Sequence, residues 1–192
     1  MTQFKAKELS FGFVIVLPEY NPNLLKSTFR SIKNRYWNDP PITCAVGKQT
    51  TAAELKEIKE LCPANRGKDT FTSLINTGIK KGHKEWNIIL MAGSLVRPRL
   101  DRRYGFWIED EKDVLYPLVV TYRAVNQKML PMKICNEFHD ATLNGLCIHQ
   151  KTFKEVGDFS SKNPIEVAKK IWALDAAQKG VRFKAVLGAK MC

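Results

Sequence analysis

Short β-branched apolar runs alternate with helical periodicities along this chain, and that alternation narrows the fold to a layered α/β architecture. Phe13-Val-Ile-Val-Leu17 is apolar at every position and ends at Pro18. A strand without polar alternation is buried on both faces, as in a parallel sheet. After the turn Glu19-Tyr-Asn-Pro22, apolar residues Leu25, Phe29, Ile32 and Tyr36 recur at helical spacing until Pro40-Pro41 stops them. Ile42-Thr-Cys-Ala-Val46 reads as a second strand, and Leu55, Ile58 and Leu61 mark one face of a second helix that ends before Pro63. The polar stretch Asn65-Arg-Gly-Lys-Asp69 reads as a loop into a third helix carrying Phe71, Leu74, Ile75, Gly78 and Ile79. Trp86-Asn-Ile-Ile-Leu90 is again a strand of the buried kind.

The second half repeats the theme less regularly. Pro98 opens a basic helical stretch to about Ile108, and the run from Val114 to Val120 reads as a strand. Residues 126–140 carry no clear period and are expected to form a loop or hairpin. Thr142-Leu-Asn-Gly-Leu-Cys-Ile148 reads as a strand whose Gly145 marks a close approach of backbone or ligand. The last helix has punctuation at both ends: Asn163 as cap, Pro164 in the first turn, Glu166 completing a capping box, and Gly180 as the stop. Val167, Ile171 and Leu174 are expected to form its core face, and residues 183–187 a final strand.

The 192 residues suit one domain with a core of useful size, with 44% hydrophobic and 26% charged residues. Lysine and arginine outnumber acidic residues 31 to 19, and the resulting net charge of +12 favours an anionic partner. The five cysteines are scattered, with no CxxC pair and no zinc spacing, which points to free thiols and a cytoplasmic setting. The longest apolar run is far short of a membrane span. Nucleic acid is not expected as a specific ligand, because no recognition helix or RNP-like strand accompanies the charge.

The order of motifs resembles the family 2 glycosyltransferases, which share the GT-A fold. Val14-Ile-Val-Leu-Pro18-Glu-Tyr20-Asn21 is similar to their opening strand, and Leu25-Lys-Ser-Thr28-Phe-Arg-Ser31-Ile32 to their first helix. Asn65-Arg-Gly67 and Leu74-Ile-Asn76-Thr-Gly78-Ile79 resemble the stretch before the central strand. Asn144-Gly145 and Phe153-Lys-Glu-Val156-Gly157-Asp-Phe159 resemble a late motif. The resemblance covers roughly residues 12–187. It implies a single GT-A domain with a mostly parallel sheet flanked by helices, a nucleotide-binding half at about 10–98 and an acceptor-side half at about 99–192. It also implies transfer of a sugar from a nucleotide-sugar donor. Pro18, Tyr20, Asn21, Asn65, Gly67, Asn76, Gly93, Ser94 and Arg97 would then border the donor, and Asn144 and Gly145 the acceptor.

The acidic residues of that family are missing where it would place them. The central strand ends Leu90-Met91-Ala92-Gly93-Ser94, so Met91 and Gly93 replace the carboxylates of the D-x-D motif. A thioether and a hydrogen atom cannot hold a hard divalent cation. The second strand ends Val46-Gly47-Lys48-Gln49 in place of the acidic pair that contacts the base. Glu166 is the nearest candidate for the general base, although its place in a capping box already explains it without any catalysis. No metal and no further cofactor is expected. Arg97, Arg99, Arg102 and Arg103 follow the altered strand end, and arginine can donate paired hydrogen bonds to a phosphate. Two functions stand side by side: a metal-independent or weakly active glycosyltransferase, and an inactive GT-A module that binds a protein partner.

Overall fold

The computed structural model describes residues 9–34, 39–96, 98–117, 119–125, 128–135 and 142–186. A seven-stranded sheet runs through them in the order β3-β2-β1-β4-β8-β5-β9, with a separate two-stranded ribbon of β6 and β7. The first half lays down β1 (Phe11–Leu17), β2 (Ile42–Val46), β3 (Ala64–Arg66) and β4 (Trp86–Met91), all mutually parallel where they pair. Helices α1 (Pro22–Lys33), α2 (Ala52–Leu61) and α3 (Phe71–Lys81) form the crossovers. The second half adds α4 (Leu100–Trp107), β5 (Asp113–Pro117), β6 (Val119–Val125), β7 (Lys128–Cys135), β8 (Cys147–His149), α5 (Gln150–Val156), α6 (Ile165–Gln178) and β9 (Arg182–Val186). β8 runs antiparallel to both neighbours, β4 and β5.

Alternation along β1 sorts the core into two layers. Phe13, Ile15 and Leu17 pack with Leu25, Ile32, Ile58 and Tyr104 on one face. Val14 and Val16 pack with Leu74, Ile75, Phe153 and Trp172 on the other. The first three helices start where a side chain can satisfy the free amides of the first turn. The Asn21 side chain accepts from the Asn23 and Leu24 amides, with Pro22 next to it. Thr51 and Glu54 form a reciprocal capping box on α2, and Thr70 caps α3. Gly78 lets α3 settle on β1, since a Cβ there would lie 2.2 Å from Val14 Cγ1.

Several expected boundaries change. The 65–69 loop begins as β3, because Asn65 and Arg66 pair with Ala45 and Val46. The 114–120 strand divides: residues 113–117 stay in the main sheet, and 119–125 leave it for a hairpin with β7. The 142–148 strand shrinks to Cys147–His149, since residues 142–146 form a bend and turn in which the Leu146 amide donates to the Leu143 carbonyl. α5 went unforeseen; His149 caps it, its Nδ1 accepting from the Lys151 amide at 3.2 Å.

The final helix shows the largest correction. Its N-cap is Pro164 and no side chain caps it; Asn163 Nδ2 donates instead to Ser160 Oγ at 3.0 Å. The expected core face is also reversed. Val167, Ile171 and Leu174 are exposed, while Ala168, Lys169, Trp172 and Ala176 are buried. Two alanines let the helix lie close to the sheet, and Trp172 fills the space between them. Its ring stacks on Phe159 with centroids 4.7 Å apart, and its indole nitrogen donates to the Gly157 carbonyl at 2.8 Å. Trp86 is buried, whereas Trp107 is exposed.

Candidate functional site

In an open α/β sheet, ligands bind beyond the carboxyl ends of the strands where the strand order reverses. Here β1 is flanked by β2 and β4, so that point lies at Leu17 and Met91. Alternation along β4 turns Met91 toward the layer containing α3 and α6. A cavity of about 390 Å3 opens there, within the usual range for small-molecule sites of about 300–1,000 Å3. Phe71, Met91, Thr142, Asn144, Glu166 and Lys169 are among the residues that line it.

The turn that follows Met91 is held from two sides. Asn144 Oδ1 accepts from the Met91 amide at 3.0 Å and from Ser94 Oγ at 3.1 Å. On the opposite face, Thr28 Oγ1 accepts from the Gly93 amide at 2.8 Å, and Ser31 Oγ from the Val96 amide at 3.1 Å. Gly93 has φ +96°, a left-handed conformation that favours glycine. Gly145, at φ +93°, donates its amide to the Ile89 carbonyl at 2.6 Å, and the Tyr104 hydroxyl donates to the Gly145 carbonyl. The small residues of both motifs thus weld the end of β4 to the 142–146 turn.

The sequence-derived residues fall into separate groups. Asn144 and Glu166 line the cavity, and Gly93, Ser94 and Gly145 lie in the hydrogen-bonded turns that follow Met91 and hold Asn144. Pro18 is exposed at the end of β1, with its carbonyl packed against Gly47. Tyr20 faces a different hollow of about 260 Å3 and donates its hydroxyl to Glu57 Oε2 at 2.5 Å. That bond to a carboxylate, then burial, pushes the phenol up to about 12. Asn21 is occupied as the cap of α1. Asn65 lies in β3, and the Gly67 amide donates to the Val46 carbonyl at 2.9 Å. Asn76 is buried and bound to the backbone of Phe159, away from the cavity lining. Arg97 lies outside the described residues.

Two charged residues outside the sequence motifs stand near these strand ends. Lys169 is buried, with a side chain only 4% exposed and its ammonium 2.7 Å from Glu166 Oε2. Asp69 reaches back to the ends of β2 and β3, accepting from the Lys48 amide at 3.0 Å and pairing with the Lys48 ammonium at 3.0 Å. It brings a carboxylate near the strand end where the motif comparison found none.

The donor set at the end of β4 does not fit a divalent cation. Met91 offers only a thioether, Gly93 offers no side chain, and Asn144 already accepts from Met91 and Ser94. Among the described residues, no group of three or more His, Cys, Asp or Glu could hold a metal ion. Nor, among them, is any helix long and apolar enough to cross a membrane.

No protein-family model matches the sequence, and no curated protein does. Solved structures do resemble the fold. GalNAc-T7 with UDP, GalNAc and Mn2+ superposes with a TM-score of 0.68 at 15% identity, over 93% of this chain and 42% of that one. TarS of S. aureus gives 0.61 at 12% identity, over 94% and 36%. The bifunctional IspDF of Campylobacter jejuni gives 0.58 at 11% identity, over 94% and 51%. This chain therefore spans about half or less of each of those proteins. At such identities the likeness concerns architecture, and it establishes a single α/β domain of GT-A-like fold, with its central sheet flanked by helices.

Proposed function

We propose that this chain is a glycosyltransferase module of the family 2 type that binds a nucleotide-diphosphate sugar without a divalent metal. The observation that carries this reading is the cavity at the carboxyl end of β4, where Asn144, Glu166 and Lys169 converge. The donor would occupy the nucleotide-binding half, about 10–98, bordered by Pro18, Asn65, Gly67, Gly93, Ser94 and Arg97. Asn21 and Asn76 serve that half by holding α1 and α3. The acceptor would enter from the half at about 99–192, beside Asn144 and Gly145. In the transfer, the acceptor hydroxyl oxygen bonds to the anomeric carbon as the bond from that carbon to the diphosphate oxygen breaks. The hydroxyl proton passes to the Glu166 carboxylate, and the nucleoside diphosphate leaves. The chain's net charge of +12 assists an anionic donor.

Thermal denaturation with uridine, guanosine, adenosine and cytidine diphosphates, with and without Mn2+, tests this. A diphosphate at a hundred times its Kd stabilises the fold by about 2.7 kcal/mol, and EDTA leaves the effect intact. No stabilisation by any of the four, in either condition, would reject the reading.

One observation favours a second reading, an inactive module used for protein binding. Val167, Ile171 and Leu174 form an exposed apolar stripe on α6, next to the cavity. Under this reading the nucleotides have no effect, and the chain co-purifies with a protein partner in a complex that Leu174→Glu disrupts.

A further inference from the structure

A buried lysine is costly, because its ammonium gives up water that only a well-placed oxygen can replace. Lys169 is nonetheless buried at the wall of the cavity, one helical turn into α6. Glu166 Oε2, 2.7 Å from that ammonium, belongs to a side chain that is 66% exposed. The pair is therefore asymmetric: the cation is fixed in the protein, and the carboxylate can swing into solvent at little cost. The first turn of α6 has no side-chain cap, and its Ile165 and Glu166 line the cavity, so the positive end of that helix borders this corner. Thr142 and Asn144 add polar groups opposite.

Resting on the donor-binding reading above, we propose that Lys169 is the resident counter-charge for the donor's diphosphate, in the place where a divalent cation does not fit. The Glu166 oxygen beside it marks where a phosphate oxygen goes. When the diphosphate arrives it displaces the carboxylate from Lys169, and the released Glu166 becomes available to the acceptor hydroxyl. Donor binding and freeing of the base are then one event. The exchange makes and breaks no covalent bond; one anionic oxygen replaces another at the same ammonium.

The two residues give effects of opposite sign, which a purely structural ion pair would not. Calorimetry with inorganic pyrophosphate and with UDP, both in EDTA, is run on the wild type, Lys169→Met and Glu166→Gln. Methionine keeps the length and apolar stem of lysine, and Glu166 is exposed, so denaturant titration checks that both variants are folded. Lys169→Met is expected to weaken both ligands at least about tenfold, through loss of a charge-assisted bond. Glu166→Gln is expected to tighten both by about three- to tenfold, since the competing negative charge is gone. Wild-type binding unchanged in both variants overturns the role of Lys169 and leaves the glycosyltransferase reading standing. Lys169-dependent pyrophosphate binding, with no nucleoside diphosphate bound more tightly than pyrophosphate, supports the anion site and removes the nucleotide reading. Absence of binding by either ligand to the wild type overturns both.

Discussion

Asn76 and Phe159 are joined by two hydrogen bonds across 83 positions of sequence: the Asn76 amide donates to the Phe159 carbonyl at 2.8 Å, and its oxygen accepts from the Phe159 amide at 3.0 Å. A side-chain amide here imitates one rung of a sheet, fastening α3 to the segment before α6. Asn76→Ala leaves a buried N–H and C=O unpaired, and is expected to cost about 2–4 kcal/mol in urea denaturation. If the clamp is mechanical, the variant at a temperature where it is folded binds UDP as the wild type does. A threefold or larger loss of affinity would make Asn76 a ligand contact.

That pair also shows how far the sequence could be read. The motif containing Asn76 and Gly78 pointed to the fold because both positions have fixed mechanical duties: one clamps a distant loop, the other admits Val14. Neither duty is visible as periodicity. The strands β1, β2 and β4 were legible because they are apolar on both faces, whereas β8 pairs for only three residues and carries no pattern of its own. Met91 and Gly93 at the tip of β4 could be found by position alone. Lys169 could not, because a lysine in a helix reads as solvated unless the packing of both flanking faces is known.

Tyr20 should titrate separately from ordinary tyrosines. Its phenol is pushed up to about 12 first by the hydrogen bond to the Glu57 carboxylate, then by burial and by the charges of Glu57 and Glu54. The neutral phenol is thus favoured by folding. The stability it supplies is complete below the unfolded value of about 10 and is lost as pH rises through about 12. Tyrosinate absorbance should show a late-titrating group in the wild type that moves toward about 10 in Glu57→Gln. Identical titration curves for the two proteins would remove the hydrogen bond as the cause.

Asp113 anchors the far edge of the sheet. It is fully buried, and its oxygens accept from Arg182 Nε at 2.8 Å, Lys184 Nζ at 3.1 Å and the Glu109 amide at 2.6 Å. Burial alone would raise its pKa; the bonds from Arg182, the Glu109 amide, Lys184 and the Asp110 amide outweigh it and hold the carboxyl below its ordinary value. Breaking a buried pair costs about 3–5 kcal/mol, and the partial exposure of the two cations tempers this to about 2–3 kcal/mol for Asp113→Asn. A lowered folded pKa means that the stabilisation is present above about pH 4 and fades as pH falls through the folded value. The gap between wild type and variant in urea midpoints should therefore be flat from pH 5 to 8 and close only in stronger acid. A gap that is constant down to pH 2 would mean that the charge of Asp113 is irrelevant.

The orientation of α6 decides which of its large side chains matter. A sequence reading that counts only spacing gives the core to Val167, Ile171 and Leu174, since they recur every three or four positions. The stripe through Ala168, Trp172 and Ala176 has the same spacing, and it wins because Trp172 stacks on Phe159 and bonds to Gly157 while the alanines permit close approach. Leu174, at 66% exposure, has given up little water contact. Leu174→Lys should therefore change stability by no more than about 0.5 kcal/mol, while Trp172→Ala should cost about 3–5 kcal/mol through the void and the unpaired Gly157 carbonyl. Denaturant titration of the two variants separates the alternatives cleanly. Were Leu174→Lys the more damaging, α6 would have to be turned by about one residue, and Lys169 would leave the cavity wall with it.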